Sequence, residues 1–265
     1  MKMRLDKVVL AQGLTPSRER AQALILAGRV LVDEQKVDKP GAQVEEHSVL
    51  RLLGDDNRYV SRGGLKLEAA LAHWSIDLTG RACVDVGAST GGFTDCMLQH
   101  AAASVLAIDT GYGQIAHRIR TDPRVTLLER TNARHLELNA LPEGAGFLAM
   151  DVSFISATLV LPAVLASFLR APADGLREAV VLVKPQFEAG RGHVGKGGIV
   201  RDPAAHALAI ERVRNALTAA GGECDAAIPS PILGAQGNRE FLLHAVWGGT
   251  RLIRVEAHPL RSEIR

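Results

Sequence analysis

Aromatic residues are scarce: Phe, Tyr and Trp make up 4% of the 265 residues. That excludes an extended track of stacking side chains for single-stranded nucleic acid. Trp74, Trp247 and the few Phe residues are expected in the core. Cysteine is scarce too. Cys83, Cys96 and Cys224 are odd in number and lack metal-ligand spacing. They read as reduced thiols of a cytoplasmic protein. No histidine, from His100 and His117 to His135, has ligand spacing, so no metal is expected. Long apolar runs are missing as well. The longest, Ile155 to Leu169, is broken by Ser156, Thr158, Pro162 and Ser167, which excludes a membrane span. Met1-Lys2-Met3-Arg4-Leu5-Asp6 leads into charge, not into the apolar stretch of a signal peptide. The net charge is only +2, a weak pointer to nucleic acid.

What is present is an apolar fraction of 47%, enough for a substantial core. The length allows one large domain or two. Two blocks meet near Gly54-Asp55-Asp56-Asn57-Arg58, which sets expected domains at 1–57 and 58–250, with a basic tail over 251–265. The first block predicts a short helix from Leu5 to Gln12, ended by Gly13. Thr15-Pro16 supplies an N-cap and a first-turn Pro for a second helix that stops at Gly28. Strands follow at Val30-Leu31-Val32 and Val49-Leu50-Arg51-Leu52, with a turn at Lys39-Pro40-Gly41. Over residues 1–32, Lys2, Arg4, Lys7, Arg18, Arg20 and Arg29 face only Asp6 and Glu19. This is the footprint expected of a phosphate-backbone reader. An ordinary solvated helix face has the same charge.

The second block alternates strand and helix. Strands are predicted at 82–87, 104–109, 125–129, 146–151, 179–184, 224–229 and 240–247, and helices at 91–101, 155–170 and 203–220. The fold class is α/β: a doubly wound Rossmann-like sheet behind a small α+β N-terminal unit. A short connection from Pro229 to Asn238 makes the last two strands an antiparallel pair.

The first strand runs into Val84-Asp85-Val86-Gly87-Ala88-Ser89-Thr90-Gly91-Gly92-Phe93. This G-x-S-x-G-G turn is neither the dinucleotide fingerprint nor a P-loop, both of which cradle phosphate. It suits S-adenosylmethionine, which has no phosphate. Asp85, Gly87 and Gly91 can supply a carboxylate and close backbone approach to its amino-acid end. A generic α/β turn is the alternative. Ligands of such sheets bind at the carboxyl ends of the strands. Asp109 there is placed for ribose hydroxyls, and Asn132 for an adenine edge, although both residue types are also common in turns. Asp151 and Lys184 close neighbouring strands, and a Lys at a buried strand end needs a partner or a task. A structural ion pair is the plain reading.

Absences narrow the chemistry. Asp151-Val152-Ser153-Phe154 is not the Asn-Pro-Pro-aromatic motif of amine methylation, and no Pro-Cys pair exists to attack a pyrimidine ring. A Lys/Asp pair suits a hydroxyl nucleophile, with Lys184 as base if burial and a second cation lower its pKa. Gly190-Arg191-Gly192-His193-Val194-Gly195-Lys196-Gly197-Gly198 reads as a loop that closes on RNA or as a plain connector.

Residues 3–52, with Arg4-Leu5-Asp6, Ser17-Arg18-Glu19-Arg20-Ala21 and Gly28-Arg29-Val30, resemble the S4 RNA-binding domain. The remainder resembles FtsJ-like ribosomal-RNA 2′-O-methyltransferases. Tyr59-Val60-Ser61-Arg62-Gly63-Gly64-Leu65-Lys66-Leu67, the Gly-rich turn and Lys184-Pro185-Gln186-Phe187-Glu188 are similar to the hemolysin A/TlyA family. The resemblance implies a catalytic Lys66, Asp151, Lys184 and Glu240. It also implies S-adenosyl-L-methionine as cofactor, held by Asp85, Gly87, Ser89, Gly91, Gly92, Phe93, Asp109, Asn132 and Asp151. The implied substrate is ribosomal RNA of the small subunit and, in some family members, also of the large subunit, methylated at cytidine 2′-OH. RNA contacts are expected from Arg4, Lys7, Arg18, Arg20, Arg29 and Arg62. A non-catalytic assembly factor and a haemolysin are the competing readings.

Overall fold

The computed structural model describes residues 2–15, 17–53, 58–170, 175–234 and 237–248. The predicted tail over 251–265, the Gly54–Asn57 junction and Pro16 lie outside these residues. The chain divides into a unit of Met1–Arg58 and a unit of Tyr59–Arg265.

In the first unit, β1 (Lys2–Arg4) leads directly into α1 (Leu5–Ala11), and α2 (Arg18–Leu26) packs on α1. Both helices bury an apolar stripe: Leu5, Val8 and Val9 meet Ala21, Leu24 and Ile25. Gly13 and Gly28 follow the two helices in left-handed conformation, as helix stops. The expected N-cap at Thr15 is displaced. Ser17 caps α2, its Oγ accepting from the Arg20 N–H at 3.2 Å. Thr15 instead donates its hydroxyl to the Ser17 carbonyl, so it belongs to the approach and not to the cap. β2 (Val30–Val32) joins β3 (Gln35–Lys36) through Asp33 and Glu34, both at positive φ, and pairs on its other side with β5 (Leu50–Leu52). β4 (Gln43–Glu45), which was not anticipated, pairs with β1.

The second unit starts with α3 (Gly63–Trp74), a helix missing from the sequence prediction. Then come β6 (Ala82–Val86), α4 (Gly92–Gln99), β7 (Ser104–Ile108), α5 (His117–Arg120), β8 (Val125–Leu128), β9 (Ala145–Met150) and α6 (Ala157–Phe168). The chain continues through β10 (Arg177–Val183), α7 (Pro185–Glu188), α8 (Pro203–Ala219), β11 (Glu223–Cys224), β12 (Ile228–Pro229) and β13 (Phe241–Trp247). The strand order is β11-β13-β10-β9-β6-β7-β8, parallel from β8 to β10 and antiparallel at β13. The expected strand over 224–229 is split. Cys224 pairs with Ala245 and Ile228 with Leu242, so this edge carries one residue more than β13 opposite it, a bulge.

Alternate residues of each central strand face opposite layers. Val84, Val86, Leu148 and Met150 pack under α6 and α8. Cys83, Phe147 and Ala149 pack under α3 and α4. Burial on both faces explains why these strands read as continuous apolar runs. Among the described residues, no helix is long and apolar enough to cross a membrane.

The chain leaves β6 toward β7 and β8 on one side, and β9 leads to β10 on the other. The strand order therefore reverses between β6 and β9, which opens a crevice beyond their carboxyl ends.

Candidate functional site

The Gly-rich turn sits at this reversal. Gly87 has φ +90, and a carbon added to it would lie 2.5 Å from the Asp151 carbonyl oxygen. The tip of β6 is thus pressed against the end of β9, and the Asp151 N–H donates to the Val86 carbonyl at 2.9 Å. Gly91, at φ +94, caps α4. Asp109 is fixed by two backbone N–H groups, Ser89 at 2.8 Å and Gly111 at 2.6 Å. Each carboxylate oxygen retains acceptor capacity for a diol.

Asp85 is fully buried beneath the turn. Its Oδ2 accepts from Thr94 Oγ1 at 2.6 Å, while its Oδ1 has no partner among the described residues. Burial pushes this carboxyl up to about 7, with the Thr94 hydrogen bond opposing and Asp151 and Asp109 adding to the rise. The unfolded chain would ionise near the ordinary 3.8, so between the two values the folded state holds a proton that the unfolded state lacks. Stability should fall as pH rises through that window and level off above it. Asp85→Asn should abolish the slope, so that its melting temperature gains on the parent's between about pH 4 and pH 7. Parallel profiles in thermal unfolding would rule this out.

Two lysines border the crevice. Lys184, buried at the end of β10, lies 2.5 Å from Asp151 Oδ1. That contact is an ion pair off the hydrogen-bonding direction, whereas Nζ donates a directed hydrogen bond to Ser153 Oγ at 2.6 Å. Lys66, on the first turn of α3, donates to Glu240 Oε2 at 2.5 Å. The Glu240 side chain is 2% exposed and that of Lys66 10%. The four charges form two neutral pairs.

A cavity of about 300 Å³ is walled by Lys66, Lys184, Asp151, Ser153, Gly87 and Ser89, with Arg62, Gly92 and Phe93 also on its surface. A second, of about 370 Å³, shares Gly87, Ser89, Asp151 and Ser153 and runs to Asp109 and Asn132. Asn132 Oδ1 accepts from the Arg134 N–H at 3.1 Å, so that oxygen already caps a turn. Phe93 is mostly committed to the core. Ser153, not singled out from sequence, borders both cavities. Its part depends on a partner 31 residues away, which no local pattern reveals.

Residues 59–247 match the FtsJ-like methyltransferase family, and residues 3–50 match the S4 domain. The chain belongs to the FtsJ-like methyltransferase family. It is 46% identical over 252 residues to YqxC of Bacillus subtilis, across 94% of this chain and 87% of that protein. TlyA of Mycobacterium tuberculosis (strain ATCC 25618 / H37Rv) bears the name 16S/23S rRNA (cytidine-2'-O)-methyltransferase. It is 43% identical over 241 residues, or 91% of this chain and 88% of TlyA. A Streptococcus thermophilus structure described as a hemolysin has a TM-score of 0.69 at 42% identity, covering 92% of this chain and 88% of that one.

In the FtsJ-like unit, Gly87→Ala should be strongly unfavourable, because the added carbon meets backbone and φ is positive. A loss of more than about 1 kcal/mol is expected in chemical denaturation. An unchanged midpoint would contradict the close approach of β6 and β9.

The S4 unit distributes its cations differently from the sequence expectation. Arg4 and Arg18 both converge on buried Asp6, at 2.9 and 3.0 Å, and Gln22 joins them at 2.8 Å. Hydrogen bonding, Arg4's above all, holds Asp6 far below the usual carboxylate range. Arg18 and Gln22 therefore tie α2 to α1 through Asp6, while Arg4 holds that carboxylate from the residue just ahead of α1. Arg29 Nε donates to the Leu53 carbonyl at 2.8 Å and so helps close the sheet. Lys7 and Arg62 are exposed, and Arg20 is half-buried.

Proposed function

We propose that this chain is an S-adenosylmethionine-dependent methyltransferase acting on the cytidine 2′-hydroxyl of ribosomal RNA, the reaction in the name of its TlyA relative. The observation that carries the reading is one cavity walled by Lys66, Lys184 and Asp151, each lysine paired with a carboxylate, that shares Gly87 and Asp151 with a second, Asp109-bearing cavity.

The residues fit that cofactor. The turn offers no cation for a phosphate, and the second cavity carries Asp109 with acceptor capacity for a diol; Asp85, expected at the ligand, is fully buried beneath the turn and borders neither cavity. Gly87, Ser89, Gly92 and Phe93 would line its amino-acid end, while Gly91 borders neither cavity and turns the chain into α4. Asp109 would hold the ribose diol, with Asn132 beside the base. When bound, S-adenosylmethionine supplies an electrophilic methyl group on a sulfonium.

The protein's own part is to present the hydroxyl. Asp151 and Ser153 take two of the positions around Lys184 Nζ. Lys184 also borders the cavity, where Nζ can meet the 2′-hydroxyl. Nζ cedes a proton to Asp151, and the lone pair so exposed takes the 2′-hydroxyl proton as the oxygen attacks, so that Lys184 ends as the ammonium and Asp151 protonated. Lys66 and Glu240 hold the opposite wall without adding net charge. Alignment of this kind is worth roughly 7–11 kcal/mol of barrier. The S4 unit docks the RNA, with Lys7 and Arg20 on its helices and Arg62 at the mouth of the lysine cavity.

The test is transfer from labelled S-adenosylmethionine to separated, unmodified small and large ribosomal subunits, followed by nucleoside analysis. Label in 2′-O-methylcytidine is expected, and the labelled subunit defines the range. Cofactor binding without label on either subunit would turn the reading toward a non-catalytic RNA-binding factor.

A further inference from the structure

The cavity beside the two lysines has an apolar wall that methyl transfer leaves unexplained. Ile232 and Leu233 lie on the connection from β12 to β13 and border the same cavity as Lys66 and Lys184. Leu233 is 56% exposed. Phe93, the aromatic residue on that surface, is 3% exposed and committed to the core, so it offers little face to a ligand.

The segment bearing Leu233 is held in place. Ser230 Oγ donates to the Ile232 carbonyl at 2.8 Å, and the Ser230 N–H donates to the Glu240 carbonyl at 2.9 Å. The Gly234 N–H donates to the Asn238 carbonyl at 2.9 Å. A carbon added to Gly234 would lie 2.0 Å from Glu240 Oε1, so this backbone rests on the carboxylate that pairs with Lys66. Asn238, 1% exposed, accepts from the Val200 N–H at 3.0 Å and donates to the Gly198 carbonyl at 2.9 Å. Leu233 thus stands at a fixed place relative to Glu240 and the lysines.

A 2′-oxygen at Lys184 puts the C1′ atom and its base next to the same cavity, because the base is attached at the neighbouring ribose carbon. Sequence-specific RNA recognition targets nucleotides whose bases are splayed out of the stack, and such a base has lost its apolar neighbours. A fixed, exposed aliphatic side chain at that position replaces them. We propose that Leu233 is the packing surface for the base of the reacting nucleotide, and so a positioning residue for the RNA. This rests on the reading of the chain as an RNA ribose methyltransferase.

The experiment titrates unmodified ribosomal subunits against the intact protein and its Leu233→Ser and Leu233→Met variants at saturating labelled S-adenosylmethionine. Leu233→Ser should raise the RNA concentration for half-maximal rate about tenfold, the loss of one good apolar contact. Leu233→Met should restore it. Calorimetric S-adenosylmethionine affinity and the melting temperature should match the parent's in both. Equal half-saturation for Leu233→Ser and the parent overturns the proposal. So does a defect that tracks cofactor affinity or unfolding, or one that methionine does not rescue. Absence of transfer by the parent protein itself is a different result: it removes the methyltransferase reading and this inference with it.

Discussion

Lys184→Ala should lower the rate of methyl transfer by about a thousandfold, within the range for loss of a positioned acid–base group. Cofactor affinity should stay within about threefold of the parent's, a change worth under 1 kcal/mol. The separation follows from placement. Lys184 borders the cavity that also holds Lys66 and is absent from the wall of the cavity that runs to Asp109. Alanine removes the atom that meets the 2′-oxygen and frees Asp151, which keeps a partly exposed side chain and can be solvated. Single-turnover transfer and calorimetric binding measure the two quantities separately. If affinity fell as far as rate, Lys184 would be a cofactor ligand and the mechanism above would be wrong. Lys184→Arg should not rescue, because a planar guanidinium cannot reproduce a compact ammonium held between Asp151 and Ser153.

The largest effect on stability should come from Glu240→Ala. It strands the Lys66 ammonium, nine-tenths buried on α3, with its hydrogen-bonded carboxylate gone. Breaking a buried pair from one side costs about 3–5 kcal/mol, most of it the uncompensated charge. Glu240→Gln should cost less, since an amide oxygen still accepts from Nζ. The double substitution Lys66→Met/Glu240→Gln should recover most of the lost stability, because replacing both charges removes the desolvation problem. It should not recover transfer. Chemical denaturation of the parent, Lys66→Met, Glu240→Gln and the double variant gives the coupling directly. Additive losses in the double variant would mean that Lys66 and Glu240 do not depend on each other in the folded protein.

β6, β7, β9 and β10 were legible because each is an apolar run closed by a Gly, Asp or Lys at the crevice. Asp151 and Lys184 could be paired from sequence, since adjacent strand ends put opposite charges side by side, and the structure places them 2.5 Å apart. The Lys66–Glu240 contact spans 174 positions, and nothing in local pattern links its ends. Only the family resemblance brought those two residues together. α3 was overlooked because its glycines drew attention to a junction. Its periodicity was nonetheless visible, in Leu67, Ala70, Leu71 and Trp74. The N-terminal charge count was right as arithmetic. It could not show that Arg4 and Arg18 share a buried Asp6, because that depends on how α1 and α2 pack.

β13 is the last strand among the described residues yet an inner strand of the sheet, lying between β11 and β10. A chain emerging from the ribosome would present β6 to β10, and with them Asp151 and Lys184, well before Glu240 and β13. Until then β10 keeps an open edge and Lys66 lacks its carboxylate. The order of synthesis therefore makes the lysine cavity mature only after the rest of the parallel sheet, and the sheet closes in the same step that neutralises Lys66.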